Sequence, residues 1–337
     1  MASATVEVVV EGRTLKLSNL DKGLYPKAGF TKGQVIDYYT RISPAVLPHI
    51  RNRPLTLKRY PNGVEEDYFY EKQCPKHRPP WVAVQPVWSE GNGRNVDFCL
   101  CNDLPTLVWC GNLADLELHT NLCLAGDVFR PTMMVYDLDP GPPATIVECS
   151  RVGLWIRDIF QALGLESFAK TSGSKGLQLY VPLNTPVTYD DTKPFAHAMA
   201  ELLEKQHPDL VLSKMSKVAR EGKVFVDWSQ NDRIKTTVSV YSLRARERPT
   251  VSTPVTWAEV EACLEAGDPD LLSFTSDQVL ERYGELGDLF APVLTLKQRL
   301  PVLPGVELRK PKPRKPRTRG DERPPGGRQP RPSAPLS

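Results

Sequence analysis

An apolar run that delivers two carboxylates two positions apart, PTMMVYDLDPG, constrains this chain more than any other segment. Successive side chains of an extended strand alternate between faces, so Asp137 and Asp139 project to the same side. Met133, Met134, Val135 and Tyr136 read as a strand within a sheet, and Pro140-Gly141 ends it with the acids at the rim. Taken alone, such a pair is more often a solvated turn. A second apolar run ending in acid, KVFVDWSQN, places Asp227 after Val224, Phe225 and Val226. Three carboxylates at strand ends suit a pair of Mg²⁺ or Mn²⁺ ions, which prefer oxygen ligands, and such pairs serve polymerases and nucleases alike.

Between the two runs lies TSGSKGLQLYVPL, in which Ser172, Gly173, Ser174, Lys175 and Gly176 form a small basic turn. Glycine lets backbone N–H groups approach closely, serine donates, and lysine supplies a point charge; together they make a cradle for a triphosphate. The spacing is not that of a Walker A loop, and the residues after Gly176 read as strand rather than helix. The bland alternative is a hairpin turn with one surface lysine.

The ordered set DLDPG, SGSKG and VFVDWSQN, with RPLTLKRYPNGV, YFYEKQ and LELHTN before it and YSLR after it, resembles the polymerase domain of bacterial ligase D, within the archaeo-eukaryotic primase superfamily. The resemblance runs from about Leu15 to about Tyr283 and rests on several ordered motifs rather than one. It implies metal-binding and catalytic roles for Asp137, Asp139 and Asp227. It implies nucleotide contacts at Lys58, His119, Ser172, Lys175, Gln178, Gln230 and Arg244, with His119 near the sugar and Arg244 at the outer phosphates. Asn19, Lys22 and Lys32 match a pocket for a recessed DNA 5′-phosphate, and Phe69 and Tyr70 match aromatics beside the template base. The implied cofactors are two divalent ions, Mn²⁺ or Mg²⁺, and the implied substrates are nucleoside triphosphates, ribonucleotides preferred over deoxyribonucleotides. Where the family usually reads SGSKGLH, this chain has Gln178, which donates a neutral hydrogen bond in place of a cationic one. Weaker triphosphate contacts, not a dead site, are expected.

Without the resemblance, each residue has an ordinary reading. A lone His119 after Leu116 and Leu118 would be a packed, hydrogen-bonded histidine, and Lys22 and Lys32 solvated charges. Tyr68, Phe69 and Tyr70 would be a strand with at least one ring turned into the core.

At 337 residues the chain reads as one large primase-polymerase domain over residues 1–300 and a Pro/Arg/Lys-rich tail over 301–337. From Arg309 to Ser337 ten Lys/Arg oppose two Asp/Glu, and eight prolines interleave with them. That segment carries +8 against a chain total of +3, which leaves −5 for residues 1–308. The basicity therefore belongs to the tail, which buries too little apolar area to order itself and either grips phosphates or solubilises. Seven cysteines in no disulfide spacing predict reduced thiols, and Cys74-x-x-His77 with Cys99-x-Cys101 lacks a standard zinc spacing. No signal peptide and no run of about 18 apolar residues are present, so a cytosolic protein with no membrane partner is expected.

Strands and helices alternate irregularly, which predicts an α+β fold with central mixed or antiparallel sheets and flanking helices. VEVVV and TLKL flank a Glu11-Gly12-Arg13 turn and read as a hairpin. Thr31 with Gln34 caps a helix expected to stop near Pro44, and Thr256 with Glu259 caps another. Val152, Trp155, Ile159 and Leu163 mark a helix ended by Gly164, and Phe195, Met199 and Leu202 one that ends before Pro208. Further strands are expected at LTLKRY, LQLYV, KVFV and TTVSVY.

The resemblance implies primer extension at gaps or broken DNA ends, as in non-homologous end joining. Excision-repair gap filling, priming, a metal-dependent nuclease and a non-catalytic end-binding scaffold are the competing readings. No K-x-D-G ligase nucleophile is present, which disfavours ligation; ligase D often joins this domain to ligase and nuclease modules, whereas this sequence runs into a Pro/Arg/Lys-rich tail, so a stand-alone version working beside Ku and a separate DNA ligase is expected.

Overall fold

The computed structural model describes residues 5–89, 91, 93–215 and 218–301. The tail expected from residue 301 lies, beyond that first residue, outside the described residues. Two sheets dominate. The first runs in the order Val211–Leu212, Val224–Asp227, Met133–Pro140, Leu177–Pro182, Phe168–Thr171, Pro254–Val255. The second runs Thr237–Val238, Asp115–Thr120, Pro54–Arg59, Arg94–Leu100, Val84–Ser89, and Phe69–Glu71 adds to Pro54–Arg59. Every pairing within them is antiparallel except that of Val211–Leu212 with Val224–Asp227. The α+β expectation holds.

Alternation sorts each strand into two faces. Met134, Tyr136 and Leu138 pack into a core with Val152, Ile156 and Phe160 of helix Ile146–Ala162 and Phe195 and Met199 of helix Tyr189–Gln206. Met133 and Val135 face the other way, and so, two and four residues further, do Asp137 and Asp139. In the second sheet Leu55, Leu57, Leu116 and Leu118 join a core with Val35, Tyr39 and Ile42 of helix Lys32–Ile50. The intervening Thr56, Lys58, Glu117 and His119 are paired across the strands and occupy the opposite face. A bond of 3.0 Å between the Tyr180 and Thr237 hydroxyls ties the sheets together, leaving a polar cleft between them.

Local signals survive well. The hairpin Thr5–Val10/Arg13–Ser18 forms with Glu11 and Gly12 both at positive φ, and capping boxes form at Thr31/Gln34 and Thr256/Glu259. Helix Lys32–Ile50, however, does not stop near Pro44; it continues through Pro44 and Pro48. Burying Val46, Leu47 and Ile50 contributes about 1.5–3 kcal/mol each, enough to offset about 3 kcal/mol for each interior proline. Helix Ile146–Ala162 is rotated from its expected face: Cys149, Val152, Ile156 and Phe160 are buried, while Trp155, Ile159 and Leu163 pack at the margin. TTVSVY gives only the two-residue strand Thr237–Val238. Cys74 and Cys99 are joined by a disulfide, against the expectation of reduced thiols; their Cα atoms lie 5.0 Å apart, a bridging distance. The other five cysteines are free and buried.

Candidate active site

Antiparallel register assembles the acidic side of the cleft. Asp137 is directly opposite Asp227 on one neighbour and Gln178 on the other, and Gln178 is in turn opposite Lys170, so a four-residue row crosses the sheet. Partners opposite one another hold their Cβ atoms about 4.5–5.5 Å apart, which brings the carboxylates of Asp137 and Asp227 together with Asp139 two residues along. Burial, then the charge of Asp139 beside it, pushes the Asp137 carboxyl up to about 7. Asp139 is also raised, by burial first.

Asp227, 5 % exposed, is held by its own loop, accepting from Ser229 N at 2.8 Å and Gln230 Nε2 at 2.9 Å. Gln178 is buried, and its Oε1 accepts from the buried Lys170 Nζ at 2.5 Å. Its amide is thus oriented with the nitrogen free to face Asp137. The mutual repulsion among Asp137, Asp139 and Asp227 is of a kind that a hard divalent cation would relieve. Among the described residues no three His, Cys, Asp or Glu side chains form a ready-made metal cage.

Two glycines bring the flanking loops to this acidic rim. A Cβ on Gly176 would lie 2.1 Å from the Leu138 carbonyl oxygen, and one on Gly141 would lie 1.8 Å from that of Arg220. The SGSKG loop therefore lies against the acid strand, and Ser172 Oγ shapes it by accepting from Ser174 N at 3.2 Å and Gly176 N at 3.0 Å. Lys175 is exposed at its tip. On the Gly141 side, Gly141 N donates to Lys223 O at 2.8 Å and Gly222 N to Gly141 O at 3.1 Å, setting Arg220 Nη1 3.9 Å from Asp139.

The opposing wall is cationic. Arg244 donates from Nη1 to the Ser172 carbonyl, and Arg246 donates to the Ser174 hydroxyl. His119 bonds Glu117 through Nε2 at 2.9 Å and meets the edge of the Tyr70 ring, whose hydroxyl lies 2.9 Å from Thr236 Oγ1. A cleft of about 400 Å³ results, lined by Tyr70, His119, Asp137, Asp139, Ser172, Lys175, Gln178, Gln230 and Arg244 together with Arg220, Arg246 and Thr236. Lys58 is one residue behind, its Nζ 3.1 Å from Glu117 Oε1 and 4.6 Å from the Tyr68 ring centre. Tyr68, Phe69 and Tyr70 are 54, 54 and 46 % exposed, so the expected inward ring is absent; Phe69–Glu71 is too short a strand to press one into the core.

Asn19, Lys22 and Lys32 gather elsewhere, at the N-terminus of helix Lys32–Ile50. Lys22 N donates to Asn19 O at 3.0 Å, Lys32 N to Lys22 O at 2.9 Å, and Lys32 Nζ to Ser18 O at 2.6 Å. Burial, then the charges of Lys22 and Arg59, lowers Lys32 to about 8. Two cations held at the start of a long helix form a place for an anion.

Sequence reasoning missed Glu117, Arg220, Arg246 and Thr236. Arg246 was within reach, two residues past Arg244 in YSLRAR, and Glu117 is two before His119 on the same strand face. Arg220 had no local signal, because the Gly141 contact and packing over the Phe225 ring, opposite Asp139, bring it in.

A carboxylate patch facing a nest of cations across a cleft, with a hairpin loop shaped for phosphates between them, is the layout of a nucleotidyltransferase. The profile of the LigD primase-polymerase domain matches residues 31–290, and the chain belongs to that family of polymerase-type nucleotidyltransferases. It is 41 % identical over 281 residues to the multifunctional non-homologous end joining protein LigD of Mycolicibacterium smegmatis, covering 83 % of this chain and 36 % of that protein. It is 31 % identical over 274 residues to the bifunctional non-homologous end joining protein LigD of Bacillus subtilis, covering 81 % and 43 %. The chain thus spans less than half the length of these curated relatives. Among solved structures, the polymerase domain from Mycobacterium tuberculosis ligase D in complex with DNA superposes with a TM-score of 0.77 at 39 % identity, covering 84 % of this chain and 99 % of that one.

Proposed function

We propose that this chain adds nucleotides to primer 3′ ends at gapped or broken DNA, as a template-directed nucleotidyltransferase in end joining. The observation that carries the reading is one cleft in which Asp137 and Asp139, with Asp227 paired beside Asp137 in the sheet, face His119, Arg244 and Arg246, the SGSKG loop with Lys175 bordering the acids. A nuclease has no use for a phosphate-shaped loop beside its acids. The family's DNA-bound structure and the end-joining names of its relatives support the setting.

Asp137, Asp139 and Asp227 would hold a pair of divalent ions, Mn²⁺ or Mg²⁺. Bound there, such ions supply Lewis-acid stabilisation of the phosphoryl oxygens. The primer 3′-hydroxyl loses its proton as its oxygen bonds the α-phosphorus, and the bond to the pyrophosphate oxygen breaks. Lys175, Arg244 and Arg246 stabilise charge on the departing pyrophosphate. His119 borders the sugar, where a preference for ribonucleotides would be exercised. Phe69 and Tyr70 offer exposed faces to a template base, and Asn19, Lys22 and Lys32 would hold the downstream 5′-phosphate. Ku and a DNA ligase activity are the partners this reading implies, and the bacterial cytosol its setting. No helix among the described residues is long and apolar enough to cross a membrane.

The test is a labelled primer annealed across a gap bearing a 5′-phosphate, incubated with Mn²⁺ or Mg²⁺ and with or without each of NTPs and dNTPs. Lengthening that requires nucleotide supports the proposal. Shortening makes the protein a nuclease, and an unchanged primer on retained DNA makes it a scaffold.

A further inference from the structure

Glu117 is 2 % exposed, yet five groups from three segments converge on its carboxylate. Oε1 accepts from Lys58 Nζ at 3.1 Å, Ala245 N at 3.1 Å and Tyr60 Oη at 3.4 Å. Oε2 meets His119 Nε2 at 2.9 Å and pairs with Arg244 Nε at 3.3 Å. Arg244 reaches on through Nη1 to the carbonyl of Ser172, so the carboxylate is linked through one side chain to the SGSKG loop. A carboxylate this deeply buried is costly unless paired, and one that gathers two groups of the cleft lining, His119 and Arg244, with Lys58 behind them does more than fill space.

We propose that Glu117 is a positioning residue that fixes Lys58, His119 and Arg244 as a single array presented to the sugar and phosphates of an incoming nucleoside triphosphate. The inference rests on the nucleotidyltransferase reading above and gives a role to a residue of LELHTN that the resemblance did not single out. Burial raises the Glu117 carboxyl, but the His119 hydrogen bond and the charges of Arg244, His119 and Lys58 outweigh it and hold it well below the usual range. The dependence is mutual. Burial draws the Lys58 ammonium down, Arg244 and Arg246 push it further, and Glu117 opposes all three. Burial also lowers His119, again against Glu117. Without the carboxylate, Lys58 would face Tyr60, Tyr68, Arg244 and Arg246 alone and surrender its proton at a lower pH.

The sign of the effect separates positioning from bulk charge. Glu117→Gln keeps the shape and removes one negative charge. If only net charge counted, a triphosphate would bind the variant more tightly; if Glu117 holds the array, it binds more weakly. The experiment is calorimetric titration of the full chain with ATP and Mg²⁺ at pH 7.5, 8.5 and 9.5. We expect at least a tenfold loss of affinity in Glu117→Gln at pH 7.5 that widens as pH rises. The pH-dependent part should vanish in the double variant Glu117→Gln/Lys58→Met, while affinity for 5′-phosphorylated gapped DNA stays within twofold of the parent.

Equal or tighter ATP binding by Glu117→Gln overturns the proposal. So does a loss of ATP affinity that is independent of pH and matched by lost DNA binding, which marks a fold defect. If the parent chain binds no ATP, the functional reading fails by itself, and His119 followed by NMR then decides the array. A lower His119 pKa in Glu117→Gln supports it, and an unchanged one overturns it.

Discussion

Asp139 is the more open of the two acids on its strand, its side chain 49 % exposed and 3.9 Å from Arg220. Asp139→Ala should abolish primer extension with Mn²⁺ while gel-shift affinity for gapped DNA changes less than about threefold, since the proposed 5′-phosphate pocket is elsewhere; retained extension would remove the metal assignment. Lys32 provides a pH signature. A lysine lowered to about 8 keeps its charge below that pH and loses it above, so preference for a 5′-phosphate over a 5′-hydroxyl should shrink as pH rises from 7.5 to 9.5. The same shift works in reverse on stability: between about 8 and 10.5 the unfolded chain holds the proton that the folded one has lost, so this group's penalty on folding eases as pH rises. Replacing Lys22 and Lys32 with Ala should erase the preference at every pH, as competition binding would reveal. Residues of this kind were legible where a motif names them, as for Asp137, Lys175 and Arg244. Glu117 and Lys170 were not, because a buried charge is recognised by what surrounds it.

Elements were legible in proportion to how local their causes are. Capping boxes at Thr31 and Thr256 and the turn at Glu11-Gly12 are written within four residues, and each forms as read. The passage of a helix through Pro44 and Pro48, the turn of helix Ile146–Ala162 about its axis, and the curtailed strand at Thr237–Val238 are decided by packing against distant chain. The cap at Thr31 also has a functional side: it starts the helix whose first residue is Lys32. Thr31→Ala should cost about 1 kcal/mol, read as a lower urea midpoint, and should weaken 5′-phosphate selection without altering nucleotide affinity. Gly176→Ala should cost more stability and should weaken nucleotide affinity instead, since its added carbon has only 2.1 Å to the Leu138 carbonyl oxygen, and either the SGSKG loop or the acid strand must yield.

Across the whole molecule, charge is divided between the net −5 of residues 1–308 and the +8 of the segment from Arg309. If that segment grips phosphates, removing residues 309–337 should weaken DNA binding at low salt and flatten the slope of log affinity against log salt, with single-nucleotide extension at saturating DNA unchanged. The two sheets, by contrast, owe their shared cleft to parity. Because side chains change face at every step, one residue inserted anywhere from Met133 to Tyr136 would point the next two acids into the helix-covered core, whereas two inserted residues would return them to the cleft, displaced by one notch. Odd insertions silence such a strand and even ones merely re-space it, so the molecule counts its own length modulo two at the place where its chemistry is kept.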